Sequence, residues 1–232
     1  QKWGDTAIGL RAVATGGNAT ALGRSARAAA ENSIAIGGGN GDKFNNNTEK
    51  TEASAAKATA IGYNAKATAG DTLALGTSSK ASDSDAVAIG TSSQATGGDS
   101  IALGKNANAS NGDSIAIGQD TVSDKINSVA LGKTSKATGA SATALGPQAK
   151  ATGSTAVAIG LNSEANQSAT VAVGYNSAAS GENAAAYGNT AKAVGKNSLA
   201  LGANTQAIVE GGVALGSGSI ANTVAGAGYN PN

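Results

Sequence analysis

The chain has 232 residues, a net charge of +1, 34 glycines, 3% aromatic and 13% charged residues, and no Cys, His or Met. Those absences remove thiol nucleophiles, imidazole bases and the usual transition-metal ligands, so neither a metal nor a cofactor is expected. The near-zero charge gives no footprint for nucleic acid or an anionic membrane surface. A chain without Cys needs no oxidative folding, which suits an exported bacterial surface protein as well as many cytosolic domains.

From the N-terminus, a short apolar triplet closed by glycine ends at Gly9, Gly23 and Gly37. It resumes at Gly62 and returns every fourteen residues to Gly216, as in Leu73-Ala74-Leu75-Gly76 and Ile115-Ala116-Ile117-Gly118. About fifteen units tile nearly the whole chain, the signature of a repeat array rather than of separate globular domains. Glycine at every third position is missing, which excludes collagen, and fixed Ile, Leu or Val positions argue against low-complexity coil.

Fourteen residues are also four turns at 3.5, so a coiled coil must be weighed. The apolar residues sit two apart around a small one, which is strand alternation, and a glycine in every unit would cost a helix about 1 kcal/mol each. Each unit therefore predicts strand, turn, strand, turn. The first strand is the triplet, entered through Asx and a hydroxyl, as in Asp99-Ser100 and Asn197-Ser198, residues that suit corners. Glycine closes it where the chain turns sharply. The second strand carries small, variable, Ala, as in Ser79-Lys80-Ala81. Stacked coils bring identical positions about 4.8 Å apart.

The bulky pair of each triplet is expected to pack inside against small residues of the opposite strand. The central alanines Ala74, Ala88, Ala102, Ala116, Ala130, Ala144, Ala158 and Ala172 would then form an outward stripe for association. The reverse, with Ala inside and the aliphatics at the association face, leads to the same oligomer. With two large aliphatics per fourteen ordered residues, burial returns little against chain entropy, and homo-oligomerisation is the expected remedy.

Gly37 to Gly62 spans 25 residues, fourteen plus eleven. The surplus lies near 38–50, with Glu52-Ala53 resuming the second strand. Asp42, Lys43, Phe44, Asn45, Asn46, Asn47 and Lys50 make this a candidate binding loop, since insertions in solenoids often carry binding; a tolerated surface excursion is the plainer reading. The variable position of the second strand gives a candidate basic ladder, Lys66, Lys80, Lys136, Lys150 and Lys192, either a contact strip for acidic partners or a solvated face that resists aggregation. Asp71, Asp85, Asp99 and Asp113 recur at one corner; stacked single carboxylates are no calcium cage, and turn chemistry accounts for them. Gly38-Gly39-Asn40-Gly41-Asp42 has no following helix for phosphate binding. The unit between Gly118 and Gly132 departs from the pattern at Thr121-Val122-Ser123 and Lys125-Ile126, and Trp3 is expected to cover the first open coil.

The segment Asn127-Ser128-Val129-Ala130-Leu131-Gly132-Lys133-Thr134-Ser135-Lys136-Ala137-Thr138-Gly139 resembles the head repeats of trimeric autotransporter adhesins, typified by the Yersinia adhesin head, with Leu in place of Ile at one fixed position. Asp113 to Gly118 and Asn197 to Gly202 are close to the same consensus. The resemblance covers nearly the whole chain. It implies an all-β fold, a left-handed parallel β-roll solenoid of 14-residue coils assembled as a homotrimer, at the tip of a fibre anchored in a Gram-negative outer membrane through regions outside this chain. Residues 1–224 would form the head, and 225–232, containing Ala225-Gly226-Ala227-Gly228-Tyr229-Asn230-Pro231, the start of a connector to a stalk.

No apolar run of about 18 residues and no signal-peptide pattern occurs, so no membrane insertion by this segment is expected, and Gln1 would begin a processed chain or an excised fragment. The expected function is non-enzymatic: a surface adhesin head that binds host extracellular-matrix or cell-surface proteins. The alternative is a structural spacer or self-association module mediating autoagglutination or biofilm contacts. An ice-binding face would need ranks of Thr-x-Thr, and an enzyme a convergent acid, base and nucleophile; neither pattern is present.

Overall fold

The fourteen-residue period folds as two seven-residue halves, each a short strand and a corner. In the computed structural model, residues 3–39 and 49–223 are described. Each coil has a three-residue strand such as Leu73–Leu75 and a two-residue strand such as Lys80–Ala81. Within each of the chain's two units the strands are parallel to, and in register with, those a coil away, Leu73 on Val87 and Lys80 on Gln94. Long strands pair only with long strands and short only with short, so two parallel sheets face each other across each coil. The fold is an all-β parallel β-solenoid of about fifteen coils, with no helix among the described residues.

The chain divides into two compact units, Gln1–Ile126 and Asn127–Asn232. The first holds eight long strands, Thr6–Ile8 to Ile115–Ile117, and eight short ones, Val13–Ala14 to Val122–Ser123; the second holds seven of each, from Val129–Leu131 to Ile220–Ala221. The division falls at Ile126, in the unit whose sequence breaks pattern. Within the first unit the insertion leaves the register intact: Ile34 pairs with Thr59 and Arg27 with Glu52, each 25 residues apart.

Corners explain the half-coil. Twice per coil the chain enters the left-handed region at the third residue of a turn, for example Asp85 (φ 58°) and Ser92 (φ 56°), most often Asn, Asp, Ser or Thr. The buried hydroxyl that follows donates to the carbonyl three residues earlier: Ser93 Oγ to Gly90 O at 2.9 Å, and Ser100 Oγ to Gly97 O at 2.6 Å. The Asp column at 71, 85, 99 and 113 occupies such positions, with φ between 54° and 58°. Gly104 has φ 136°, and a Cβ there would lie 2.5 Å from the carbonyl oxygen of Gly118 in the next coil, so glycine is required by both conformation and contact.

The core corrects the expected orientation of the triplets. Ala74, Ala88, Ala102, Ala116, Ala130, Ala144, Ala158 and Ala172 do not form an outward stripe; each is fully buried, opposite the alanines of the short strands. The residue after each corner also points inward, so a coil's interior holds four small side chains, Thr72, Ala74, Ser79 and Ala81 in one instance. The largest fully buried side chains are threonines, such as Thr51 and Thr121. A seven-residue half-coil leaves a gap one methyl or hydroxyl deep from each sheet. In-register stacking repeats the same side chain about every 4.8 Å, with no stagger to admit a branched chain. The aliphatic pair is therefore forced outward. Trp3 is a second correction: it is 97% exposed and does not cover the first coil.

Candidate interaction surfaces

With the interior filled by small side chains, the large ones define two outer faces. On the long-strand sheet the first and third triplet residues point the same way, because successive strand residues alternate. They make two parallel ranks of aliphatics, and their exposure is substantial: Leu75 38%, Leu103 41%, Leu131 39%, Leu201 42%. Ile115, Ile117, Val157, Ile159, Val171 and Val173 are half-buried by their neighbours along the ranks. Patches of this kind are rare on monomers and mark association sites.

The short-strand sheet presents the expected ladder. Lys66 stacks on Lys80 in the first unit and Lys136 on Lys150 in the second, with Lys192 further along the second. The ladder is less basic than its lysine count suggests. Lys150 Nζ lies 2.6 Å from Glu164 Oε1 on the next short strand, and in the first unit Arg27 Nη1 lies 2.8 Å from Glu52 Oε1. Alternating signs relieve like-charge repulsion between strands, the ordinary behaviour of a solvated sheet face.

Of the candidate binding loop, Asp42, Lys43, Phe44, Asn45, Asn46 and Asn47 lie outside the described residues, as does the proposed connector 225–232. Lys50 is described, and its ammonium lies 3.5 Å from Glu52 Oε1. At the loop's far end Tyr63 Oη donates to Glu49 Oε2 at 2.7 Å, and this bond to a carboxylate raises the phenol above its ordinary value. Among the described residues, no three His, Cys, Asp or Glu side chains gather as a metal site, and no helix is long and apolar enough to cross a membrane.

Chain geometry and family comparison agree on what these coils are. The model of the YadA head domain repeat (2 copies) matches residues 4–26, 14–40, 53–78, 67–93, 95–121, 123–149, 137–163, 151–177, 165–191, 179–205 and 193–219, most of the chain. The chain belongs to the YadA head domain repeat family. It is a head domain of the trimeric autotransporter adhesins, and the YadA head family consists of surface-exposed structural adhesins. No curated protein matches the chain. The matched ranges advance mostly by fourteen residues, the step of the coil, so each YadA head repeat corresponds to one long strand, one short strand and their corners.

One surface feature of the YadA head repeats here was not singled out from the sequence. In the second unit the ladder is interrupted by Ala178 between Glu164 and Lys192, leaving a depression of about 340 Å³. The signal was available: one methyl stands where most other coils carry Lys, Arg, Gln, Glu or Asn. It becomes a feature only when in-register stacking sets its neighbours beside it.

Proposed function

We propose that this chain is the ligand-presenting head of a bacterial surface adhesin, three left-handed rolls side by side, anchored in the outer membrane through regions outside this chain. The head binds host extracellular-matrix or cell-surface proteins without chemistry. Membership of the YadA head family carries this reading. The double aliphatic rank on the long-strand sheet of each unit supports the homotrimer, since it offers an apolar face that a single roll leaves in water. The association surface is then the Val, Ile and Leu of the triplets.

The spacer reading has its own support in the internally paired charges of the short-strand face, Lys150 with Glu164 and Arg27 with Glu52. Two measurements separate the readings. Sedimentation equilibrium at micromolar concentration is expected to give a trimer for the wild type and monomer for Ile101→Lys/Leu103→Lys with its circular dichroism unchanged; a monomeric wild type removes the trimer. Solid-phase binding to a panel of matrix proteins and host cells tests adhesion, and binding to none of them, with autoagglutination retained, leaves the spacer.

A further inference from the structure

The depression at Ala178 lies on the short-strand face of the second unit, away from the aliphatic ranks assigned above to the trimer. Its floor is the Ala178 methyl, and its walls come from two columns. One is the corner column Asn162, Asn176, Thr190; the other is the outward row Glu164, Ala178, Lys192. Glu164 and Lys192 stand two strands apart, about 10 Å at ordinary sheet spacing, with nothing longer than a methyl between them. The volume, about 340 Å³, sits at the small end of the range for small-molecule sites, about 300–1,000 Å³. A second depression of about 240 Å³ continues it past Thr190 and Lys192 to Asn204 and Gln206.

Donors and acceptors in the walls are unbalanced. Asn162 donates one amide N–H to Asn176 Oδ1, which occupies one lone pair of that carbonyl and leaves the Asn176 NH2 group as a donor. The single Thr190 hydroxyl proton is taken up by Asn189 O or Asn204 Oδ1, both within hydrogen-bond reach. Glu164, the one carboxylate in the lining, is neutralised through its Oε1 by Lys150, 2.6 Å away. Lys192 has no ion-pair partner among the described residues. Beyond the Lys150–Glu164 ion pair the lining offers the Lys192 ammonium, the remaining Asn162 and Asn176 amide N–H groups and the Asn162 carbonyl, so its one uncompensated charge is positive.

The geometry assigns this depression as a subsite for one carboxylate-bearing sugar residue of a host glycan. The carboxylate lies at Lys192 and Asn176, a ring hydroxyl donates to Asn162 Oδ1, and the sugar's apolar face rests on the Ala178 methyl. Ring size, hydroxyls and carboxylate together match the volume, the acceptor and the donors; a linear acidic side chain uses the donors alone. The assignment deepens the adhesin reading and rests on it, by naming a ligand class for one face.

The test is NMR titration of the full 232-residue chain with glucuronic acid, glucose and N-acetylglutamate amide. Glucuronic acid is expected to shift the Asn162 and Asn176 side-chain amide signals saturably at millimolar concentration, with glucose and the glutamate derivative at least tenfold weaker. Ala178→Lys fills the space with a residue that five other coils carry at this position, so its fold, checked by its amide spectrum, is expected to persist while binding is lost. Lys192→Gln is expected to weaken glucuronic acid at least fivefold and leave glucose unchanged. Equal binding by glucose overturns the carboxylate assignment, and equal binding by the glutamate derivative overturns the sugar assignment. No saturable shift, or undiminished binding in folded Ala178→Lys, overturns the site. None of these outcomes depends on the matrix-protein panel, so failure of the subsite and failure of the adhesin reading are distinguishable.

Discussion

On the long-strand sheet the outward ranks are aliphatic pairs in most coils, Leu73 and Leu75, Ile101 and Leu103, Val129 and Leu131. On the short-strand sheet the outward rank runs Lys66, Lys80, Gln94, Asn108 in one unit and Lys136, Lys150, Glu164, Ala178, Lys192 in the other. Beneath both faces the inward residues are the same small set, Ala, Ser and Thr. The interior is fixed by volume, because every coil offers the same narrow gap. The outer faces are not fixed by folding, and under the proposed function their difference reflects what each would meet: an apolar partner on one side, solvent or a polar ligand on the other.

The largest expected effect breaks the constant part. Gly104→Val places a branched side chain at φ 136° with its Cβ 2.5 Å from the next coil's carbonyl. Together with Ala102→Leu in the filled interior, each is expected to cost about 3 kcal/mol or more in urea unfolding. Lys136→Gln, on the variable part, is expected to stay within about 0.5 kcal/mol. A tolerant Ala102 would mean the gap is wider than its contents indicate. Next comes Ser93→Ala, which deletes the buried hydroxyl's bond to Gly90 O and is expected to cost about 1 kcal/mol by the same measurement. Smaller and opposite in sign is Ala169→Asn: an exposed alanine at φ 54° lacks the side chain that tolerates this region, and Asn is expected to stabilise by about 0.5–1 kcal/mol.

The smallest effect concerns surface charge. Glu182, 3.0 Å from Lys196, raises that ammonium above its ordinary value of 10.5, first through the hydrogen bond and then through charge. Because the pKa is raised in the folded state, the stabilisation is present below the ordinary value and fades as pH rises through the raised one. The same sign holds for Tyr63 above 10.0. The difference in Tm between wild type and Lys196→Met is therefore expected to be small, to shrink in high salt, and to vanish at strongly alkaline pH.

How much of this was legible in the residues varies by position. The glycine column, the Asx and hydroxyl corners and the basic ladder could be named from the period, because each depends on local backbone conformation or on an exposed residue type. Even the resumption of the repeat at Glu52 was readable across the insertion, and the structure pairs Glu52 with Arg27 in register. The exposure of Trp3 and the depression at Ala178 were not, since each depends on neighbours from other coils.

The sequence by itself determined the coil: fourteen residues, two strands, two corners, and an alternation that puts Leu73 and Leu75 on one face and Ala74 on the other. It did not determine which of those faces was inside. Alternation is symmetric under that exchange, and a hydrophobicity argument favours burying leucine. Only the tertiary structure decided it, because closing each half-coil in seven residues brings the two sheets too near for anything larger than threonine. The aliphatics left outside by that limit are the surface proposed above for the assembly.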